Sequence, residues 1–600
     1  KELYPYTYQV LENSREQLDC KYVVKNNTVK FKIKNHDPGA IIVIDPTLIF
    51  STLTGSLADN WGYTSTPGPD GSFYAGGIVF GNGFPVSAGA FSQSFNGGID
   101  EDGNGKYDIS LIKLSANGRN RLYATYLGGN GNEQPHSLIS DASGNLVLAG
   151  RSNSADFPVT DPLIGAGGGY DIIITKFNST GTSVIGSVKI GGNQDDGVNI
   201  KPKYIAVTPG FYGAIETRRN YGDDARSEVI LDGFNNVFLV SCTQSTNFPV
   251  RNSLIQNTFG GGRQDGVILK FSDNLSNLLF SSFFGGSGSD ACFVLSINPL
   301  TGNVYIAGGT TSTDLPGNKA GVITPAFQGG VTDGFITEIQ PDGLGIIKTT
   351  YAGTSGADLI YGIQFDKLGF PYITGTTTGN WPVLNAAFSN PGSKQFITKL
   401  KDDLSSIIYS TTFGTVSSIP NISITAFLVD RCQNVYVSGW GGNFNNQRGY
   451  PCAGTAGMSV TANAIKSITD GKDFYFFVLE KNAQRQLFGS FFGQNNGFDD
   501  HVDGGTSRFD ANGVIYQAIC ANCGKDVFFP TTPGAWSGTN GSSNCNEACV
   551  KIEMNFTGIG ASIRASIDGI IDTVGCVPLT VRFVDTLAKG KKYLWNFGDG

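Results

Sequence analysis

Seven repeats dominate this chain. An aromatic residue or Leu followed by Pro recurs at Phe84-Pro85, Phe157-Pro158, Phe248-Pro249, Leu315-Pro316, Trp381-Pro382, Tyr450-Pro451 and Phe529-Pro530, with the prolines 73, 91, 67, 66, 69 and 79 residues apart. Three further markers keep the same rhythm. One is a β-rich run into Gly, such as FSTLTGS at 50–56, YATYLGG at 123–129 and GSFFGQ at 489–494. Another is a Gly/Asn hairpin turn feeding an alternating strand, such as DASGNLVLAG at 141–150. The last is an Asp opening an alternating strand, as at Asp108, Asp171, Asp265, Asp333 and Asp473. Gly and Asn supply the positive φ of tight turns. Each repeat therefore reads as four strands and no helix.

A four-stranded unit too small to bury its own faces finds burial by stacking radially on copies of itself, which makes seven repeats an all-β, seven-bladed propeller. The strands of each blade are lettered a to d from the axis outward. A d-type strand at 48–54 comes before any a strand, whereas the last c strand, ACVKIEM at 548–554, has no d strand after it. The N-terminal strand is thus expected to complete blade seven and remove the free edge between first and last blades. Glycine fits this turn-rich reading: 82 of 600 residues is about twice the usual share. The organisation expected is a β-rich segment at 1–43, the propeller at 44–560 and a further β unit from 566.

With 42 Lys+Arg against 50 Asp+Glu, a net charge of −8 and no basic run, the chain is a poor partner for nucleic acid or an anionic membrane. No apolar run is long enough to span a bilayer as a helix. Ten Cys, four of them between 520 and 549, beside only two Met, point to an extracytoplasmic compartment. Opening on Lys1 without a signal-peptide pattern and ending at Gly600 before another strand, the chain reads as a trimmed fragment that stops inside a domain.

LYATYLGGNGNEQPHSLISDASGNLVLAG, followed by DFPV and DIIITKF, resembles the SBBP repeat of seven-bladed β-propellers, over about 46–556. Residues 1–43, ending in AIIVIDP, resemble the tail of the β-rich domain that precedes such propellers. Residues 566–600, with GCVPLTVRF and YLWNFGDG, resemble the first half of a PKD domain, an immunoglobulin-like sandwich. The combination is similar to large surface proteins of gliding bacteria that end in a gliding-motility-associated domain and leave through the type IX secretion system. The resemblance implies that secretion machinery and a cell-surface or extracellular location.

Strand order puts the d–a and b–c connections on one face, and the long segments fall there: the Phe-Pro loops, the stretch 193–226 and the Asn-rich stretch 441–461. Irregular loops gathered on one side of a rigid scaffold commonly carry binding, although tolerant positions also drift. Asp100, Asp102, Asn104 and Asp108 have the alternating spacing of a calcium loop. Leu111 stands where its bidentate Glu belongs, so a solvated acidic turn is the competing reading.

Cys520, Cys523, Cys545 and Cys549 flank the b–c loop of blade seven. A hairpin register that sets 520 opposite 549, and 523 near 545, predicts two nested disulfides, with a four-thiolate zinc site as the alternative. Cys242 and Cys292 end on one face and can bridge neighbouring blades or remain thiols. Cys432 and Cys452 fall on opposite faces, and Cys576 has its partner, if any, beyond residue 600.

Catalytic residues are sparse. The histidines are His36, His136 and His501, and a Ser/His/Asp centre needs one of them. Asp499-Asp500-His501-Val502-Asp503 is the most reactive-looking string, but a hydrogen-bonded loop explains it equally simply. The reading that results is a non-enzymatic adhesion or presentation module whose insertion face takes a surface glycan or another cell-surface protein. The alternatives are a polysaccharide-active enzyme using carboxylates on that face and an inert folded spacer of a surface fibre.

Overall fold

The computed structural model describes the chain except residues 1–6, 12–13, 19, 26–27, 38–40, 45–46, 99, 101–104, 200–216, 218–226, 443–451, 496–498, 525–527, 555–562, 568–580 and 586–600. Seven sheets, each with an antiparallel core of four strands, lie within 47–553. Blade one comprises Asn60–Pro67, Phe73–Val79, Asp108–Leu114 and Arg121–Leu127, in the order a to d. Blade two runs from Glu133–Ser140 to Val184–Gly191, blade three from Glu228–Leu231 to Leu278–Phe284, and blade four from Asp290–Ile297 to Ile346–Ala352. Blade five runs from Asp358–Phe365 to Ile407–Phe413 and blade six from Ser423–Val429 to Gln486–Phe492.

Blade seven is assembled from both ends of this span. Arg508–Phe509, Val514–Ala521 and Asn546–Glu553 are its strands a to c, and Thr47–Leu53 is its strand d, antiparallel to strand c with Val550 opposite Ser51. The a strands contact their neighbours all the way round, including blade seven against blade one. The ring is therefore closed as expected. Each a–b pair except that of blade three and the two-residue ladder of blade seven carries one register shift, as between Gly62 and Thr64 in blade one. An extra residue there increases the twist of the innermost strand.

The repeats are legible in what their residues do. In the a–b turn, Asp141 Oδ1 accepts the backbone N–H groups of Ser143 and Asn145, while Oδ2 accepts Asn145 Nδ2, and Asp232 and Asp430 repeat the device with Asn236 and Asn434. Such Asx turns give the chain a local substitute for ladder hydrogen bonds. The residue before each loop Pro is an anchor: Phe84, Phe157, Phe248, Leu315 and Trp381 are all buried in the clusters between sheets. Trp381 lies flat on Phe396, with ring centroids 3.5 Å apart and planes at 5°. Tyr450-Pro451 lies outside the described residues.

Before the ring, Ser14–Gln17, Thr7–Leu11 and Ile41–Ile44 form a three-stranded antiparallel sheet, and Cys20–Lys25 pairs with Thr28–Ile33. Residues 555–600 form a separate compact unit, in which Ile563–Ile567 pairs antiparallel with Val581–Asp585. Among the described residues, no helix is long and apolar enough to cross a membrane.

Closure by Thr47–Leu53 makes a sharp prediction. That strand buries Phe50 and Leu53 completely, and at ~2 kcal/mol for each large apolar side chain its loss costs about 4 kcal/mol. A chain beginning at residue 44 should unfold in denaturant with the midpoint of the full chain, whereas one beginning at residue 57 should lose at least that much and be cut by protease along strand c of blade seven. Equal midpoints for the two truncations would contradict the closure.

Candidate functional site

The d–a connections of the insertion face converge on buried polar pairs, one at each junction between blades. An acid at the head of a c strand, or directly before it, faces an acid at the head of the next a strand or in the connection leading to it, giving Asp108 with Glu133, Asp171 with Asp196, Asp265 with Asp290, Asp333 with Asp358, and Asp473 with Asp500. The other two junctions use amides, Gln395 with Asn421 and Asn546 with Asn60. All of these side chains are buried.

At five junctions the glycine that ends the d strand, Gly128, Gly191, Gly285, Gly414 or Gly493, makes room for the pair. A Cβ on Gly128 would stand 2.7 Å from Asp108 Oδ1 and 2.6 Å from Glu133 Oε2, and one on Gly285 would stand 2.6 Å from Asp265 Oδ1 and 2.7 Å from Asp290 Oδ2. Backbone N–H groups bind the other edges: Asn96 donates to Asp108 at 2.7 Å, Gly260 to Asp265 at 2.6 Å, Gly286 to Asp290 at 2.7 Å and Gly192 to Asp196 at 2.7 Å. Hydroxyls complete the set, with Ser152 and Ser154 on Glu133 and Thr310 and Ser312 on Asp290.

Two carboxylates this close and this dry cannot both be charged without a counter-charge. The junctions solve the problem in different ways. Lys189 Nζ is 3.0 Å from Asp171 and Lys466 Nζ 2.6 Å from Asp473, while the amide pairs carry no charge, with Gln395 Nε2 donating to Asn421 Oδ1 at 3.3 Å. Asp108, Asp265 and Asp333 instead each leave Oδ1 without a hydrogen-bond partner. Burial, reinforced by the facing acids Glu133, Asp290 and Asp358, pushes Asp108 up to about 7, Asp265 to about 8 and Asp333 to about 7. These pairs hold protons near neutrality.

The expected calcium loop is divided by this arrangement. Asp108 belongs to the pair with Glu133 and spends Oδ2 on the Asn96 N–H. Asp100 is exposed and accepts the Gly105 N–H at 2.8 Å. Asp102 and Asn104 lie outside the described residues, as do most of 193–226 and 443–451.

At the seam between blades seven and one, Cys523 and Cys545 form a disulfide, with Cα atoms 3.9 Å apart. Cys520 and Cys549 remain thiols, which corrects the expected second bridge. The ladder sets Cys520 opposite Glu547 and Cys549 opposite Ala518, a shift of two residues from the expected register. Cys549 packs instead among Phe50, Phe73 and Tyr516. Cys520 faces Cys523, Cys545 and Trp61, with its Sγ 3.7 Å from Cys523 Sγ. Cys242, Cys292, Cys432 and Cys452 are also thiols, and Cys576 lies outside the described residues.

The histidines are scattered and, apart from exposed His36, buried. His136 Nδ1 meets Ser227 Oγ at 3.0 Å. The string 499–503 is split by its strand alternation: Asp500 turns to Asp473, Asp499 is 3.4 Å from Lys472 Nζ, and His501 Nε2 is 3.5 Å from Asp503. The axis holds a cavity of about 110 Å³ lined by Glu228, Tyr361, Thr425, Phe427, Thr506 and Arg508 among others. Arg508 crosses it, 3.3 Å from Glu228 and donating to the carbonyls of Leu138 and Val229 at 2.8 and 2.7 Å.

The junction pairs were readable in the sequence and went unread. Their members recur 25 residues apart at 108/133, 171/196, 265/290 and 333/358, 26 apart at 395/421 and 27 apart at 473/500. Five first members stand out as strand-opening acids, whereas no local motif ties their partners, Asp500 among them, to those strands.

Residues 1–47 match a domain of unknown function, DUF7948. No curated protein matches the chain. Among solved structures, a protein of unknown function from Dyadobacter fermentans is 12% identical over 67% of this chain and 96% of its own, with a TM-score of 0.31. An ulvan lyase bound to a GlcA–Rha3S saccharide is 10% identical over 77% and 92%, with a TM-score of 0.35. The endosialidase of phage phi92 is 7% identical over 93% and 78%, also with a TM-score of 0.35. None of the three carries an activity over to this chain.

The proton-holding pairs set the pH response. An acid whose folded pKa is raised binds more protons folded than unfolded, so stability is fullest below the unfolded value near 3.8 and declines as pH rises through the folded value. Asp108→Asn mimics the protonated form, as the amide junctions do. It should raise stability at about pH 8 by on the order of 2 kcal/mol and change it little at about pH 4, as read by denaturant midpoints at the two pH values. An equal effect at both would refute proton sharing.

Proposed function

We propose that the chain is a secreted or cell-surface, non-enzymatic propeller that presents its insertion face for adhesion, to a surface glycan or another surface protein. The observation that carries this reading is the contrast between that face's rim and its interior. Large apolar side chains stand in solvent on its loops, with Leu57 71% exposed, Val416 82%, Ile468 78% and Phe528 91%, on a scaffold whose blades are closed into a ring. Exposed apolar residues on rigid loops are what a binding surface offers.

The acids of the junction pairs are turned away from a polymer. Asp108, Asp265, Asp290, Asp333, Asp358 and Asp500 are fully buried, and a glycosidase pair must flank a bond it can touch. A long-range role as part of a type IX secreted surface protein with a PKD domain fits the sequence resemblance and belongs to the same proposal, as does calcium held by the Asp100–Asn104 loop.

A glycan array probed with the full chain, with and without EDTA and with product analysis in parallel, tests the reading. Retention without cleavage is expected, reduced by Phe528→Ser or Val416→Ser at least several-fold. Loss of retention in EDTA would assign calcium a part in it. Released oligosaccharide would replace adhesion with catalysis, and absence of any retention would leave an inert spacer.

A further inference from the structure

A disulfide needs two sulfurs, yet the seam between blades seven and one gathers three, with an imidazole beside them. The Sγ atoms of Cys520, Cys523 and Cys545 all lie within 4.8 Å of one another. A ligand nitrogen of His501, a carboxylate oxygen of Asp503 and the Sγ of Cys520 also lie within 4.8 Å of one another. Cys520 belongs to both groups. The bridge accounts for Cys523 and Cys545 alone.

Backbone geometry places these groups from three separate stretches of chain. Cys520 sits near the end of strand b of blade seven, Cys523 in the loop that follows, and Cys545 directly before strand c. His501 is fixed by an isolated bridge to Cys520, whose N–H donates to the His501 carbonyl at 2.6 Å. Asp59 accepts the Cys545 N–H at 2.9 Å. The site is nearly dry: Cys520 is fully buried, and Cys523, Cys545, His501 and Asp503 are each at most 9% exposed.

The imidazole is oriented for a metal. His501 Nδ1 is 2.8 Å from the Asp499 carbonyl oxygen, and a carbonyl can only accept, so Nδ1 carries a proton. Nε2 faces Asp503 at 3.5 Å, and a ring nitrogen lies within 4.8 Å of Cys520 Sγ; a metal would take the place of the Nε2 proton. A ring N–H given to a backbone carbonyl is the outer-shell contact that commonly fixes a metal-binding histidine.

We propose that, with the Cys523–Cys545 bridge open, Cys520, Cys523, Cys545 and His501 Nε2 form a tetrahedral site for Zn²⁺ or a cation of like softness. Three thiolates and one imidazole are a usual zinc donor set. The site is thereby under redox control. A dithiol reductant gives two electrons and two protons to the disulfide and becomes a disulfide itself, leaving two thiols. Metal binding then displaces the thiol protons to solvent, and reoxidation of Cys523 and Cys545 by a second disulfide, which takes the two electrons and, with two protons from solvent, leaves as a dithiol, removes two ligands and expels the ion. Cys549 lies on the same face but two residues further along the ladder, opposite Ala518, where it packs among Phe50, Phe73 and Tyr516, and it has no part in the site. The proposal does not depend on adhesion, since its readout is the ion.

Co²⁺ as probe tests this with the full chain. After anaerobic reduction and removal of reductant, titration with Co²⁺ should give one equivalent bound per chain, with thiolate-to-cobalt charge transfer and the intense visible bands of a tetrahedral centre. Equimolar Zn²⁺ should bleach both. The unreduced chain should show neither. Cys520→Ser and His501→Asn should weaken binding at least tenfold, and Cys549→Ser should leave it unchanged. Reduced wild-type chain that gives no tetrahedral spectrum overturns the proposal without recourse to any variant, as does Cys520→Ser that binds like wild type. Differential alkylation of the unreduced, denatured chain should recover Cys520 among the free thiols, with Cys523 and Cys545 blocked. Recovery of a Cys520–Cys523 bridge with Cys545 free would instead assign the third sulfur to disulfide exchange and count against the metal.

Discussion

A four-stranded blade has two apolar faces and no means of covering either. Burial therefore comes only from the blades on each side, and the whole structure depends on the ring being closed. Closure has one weak point, the junction where the chain enters and leaves. Here strand d of blade seven comes from Thr47–Leu53 and strands a to c from the far end, so opening the ring requires breaking a β ladder as well as an apolar contact. Trp536 reinforces the same seam by donating its indole N–H to the Thr54 carbonyl at 2.9 Å. The only disulfide among the described residues also lies in the b–c loop of this blade.

Much of this was legible in the sequence because it repeats. Periodicity gave the strand content, the count of seven and the order d before a, and from the order came the closure. The disulfides were less legible, since pairing depends on register. A shift of two residues placed Cys549 with Phe50 and Phe73 rather than with Cys520, and nothing in the spacing of four cysteines distinguishes those registers. His501 was noticed as a reactive-looking residue, but its proximity to Cys520 spans separate connections and follows only from the fold.

The junction pairs went unread for a different reason. An Asp at the head of a strand has an adequate local explanation as a capping residue, and the a–b turns do contain such caps at Asp141, Asp232 and Asp430. At the c strands the same residue type does something else, because its partner is 25 residues further on in the next blade. Substitution around the ring reveals the requirement: Gln395 with Asn421 and Asn546 with Asn60 keep the shape and hydrogen bonding while removing the charge. What the fold needs at this position is a compact polar pair; ionisation is incidental to it.

That neutrality connects the two unusual regions of the insertion face. Five junctions pack acids into dry space and must suppress their charge, by a proton or by a lysine such as Lys189 or Lys466. The seventh junction uses amides, so Asn60 and Asn546 add no charge to the seam. Yet burial of the Cys520 thiol, with buried Asp503 and half-buried Asp59 beside it, holds that thiol well above its ordinary value. Around Cys520 a disulfide, an imidazole and carboxyl groups are gathered in the same nearly dry space, so any charge there has to be balanced as at the other junctions. A cation held by the sulfurs and the imidazole, as proposed above, would meet that need.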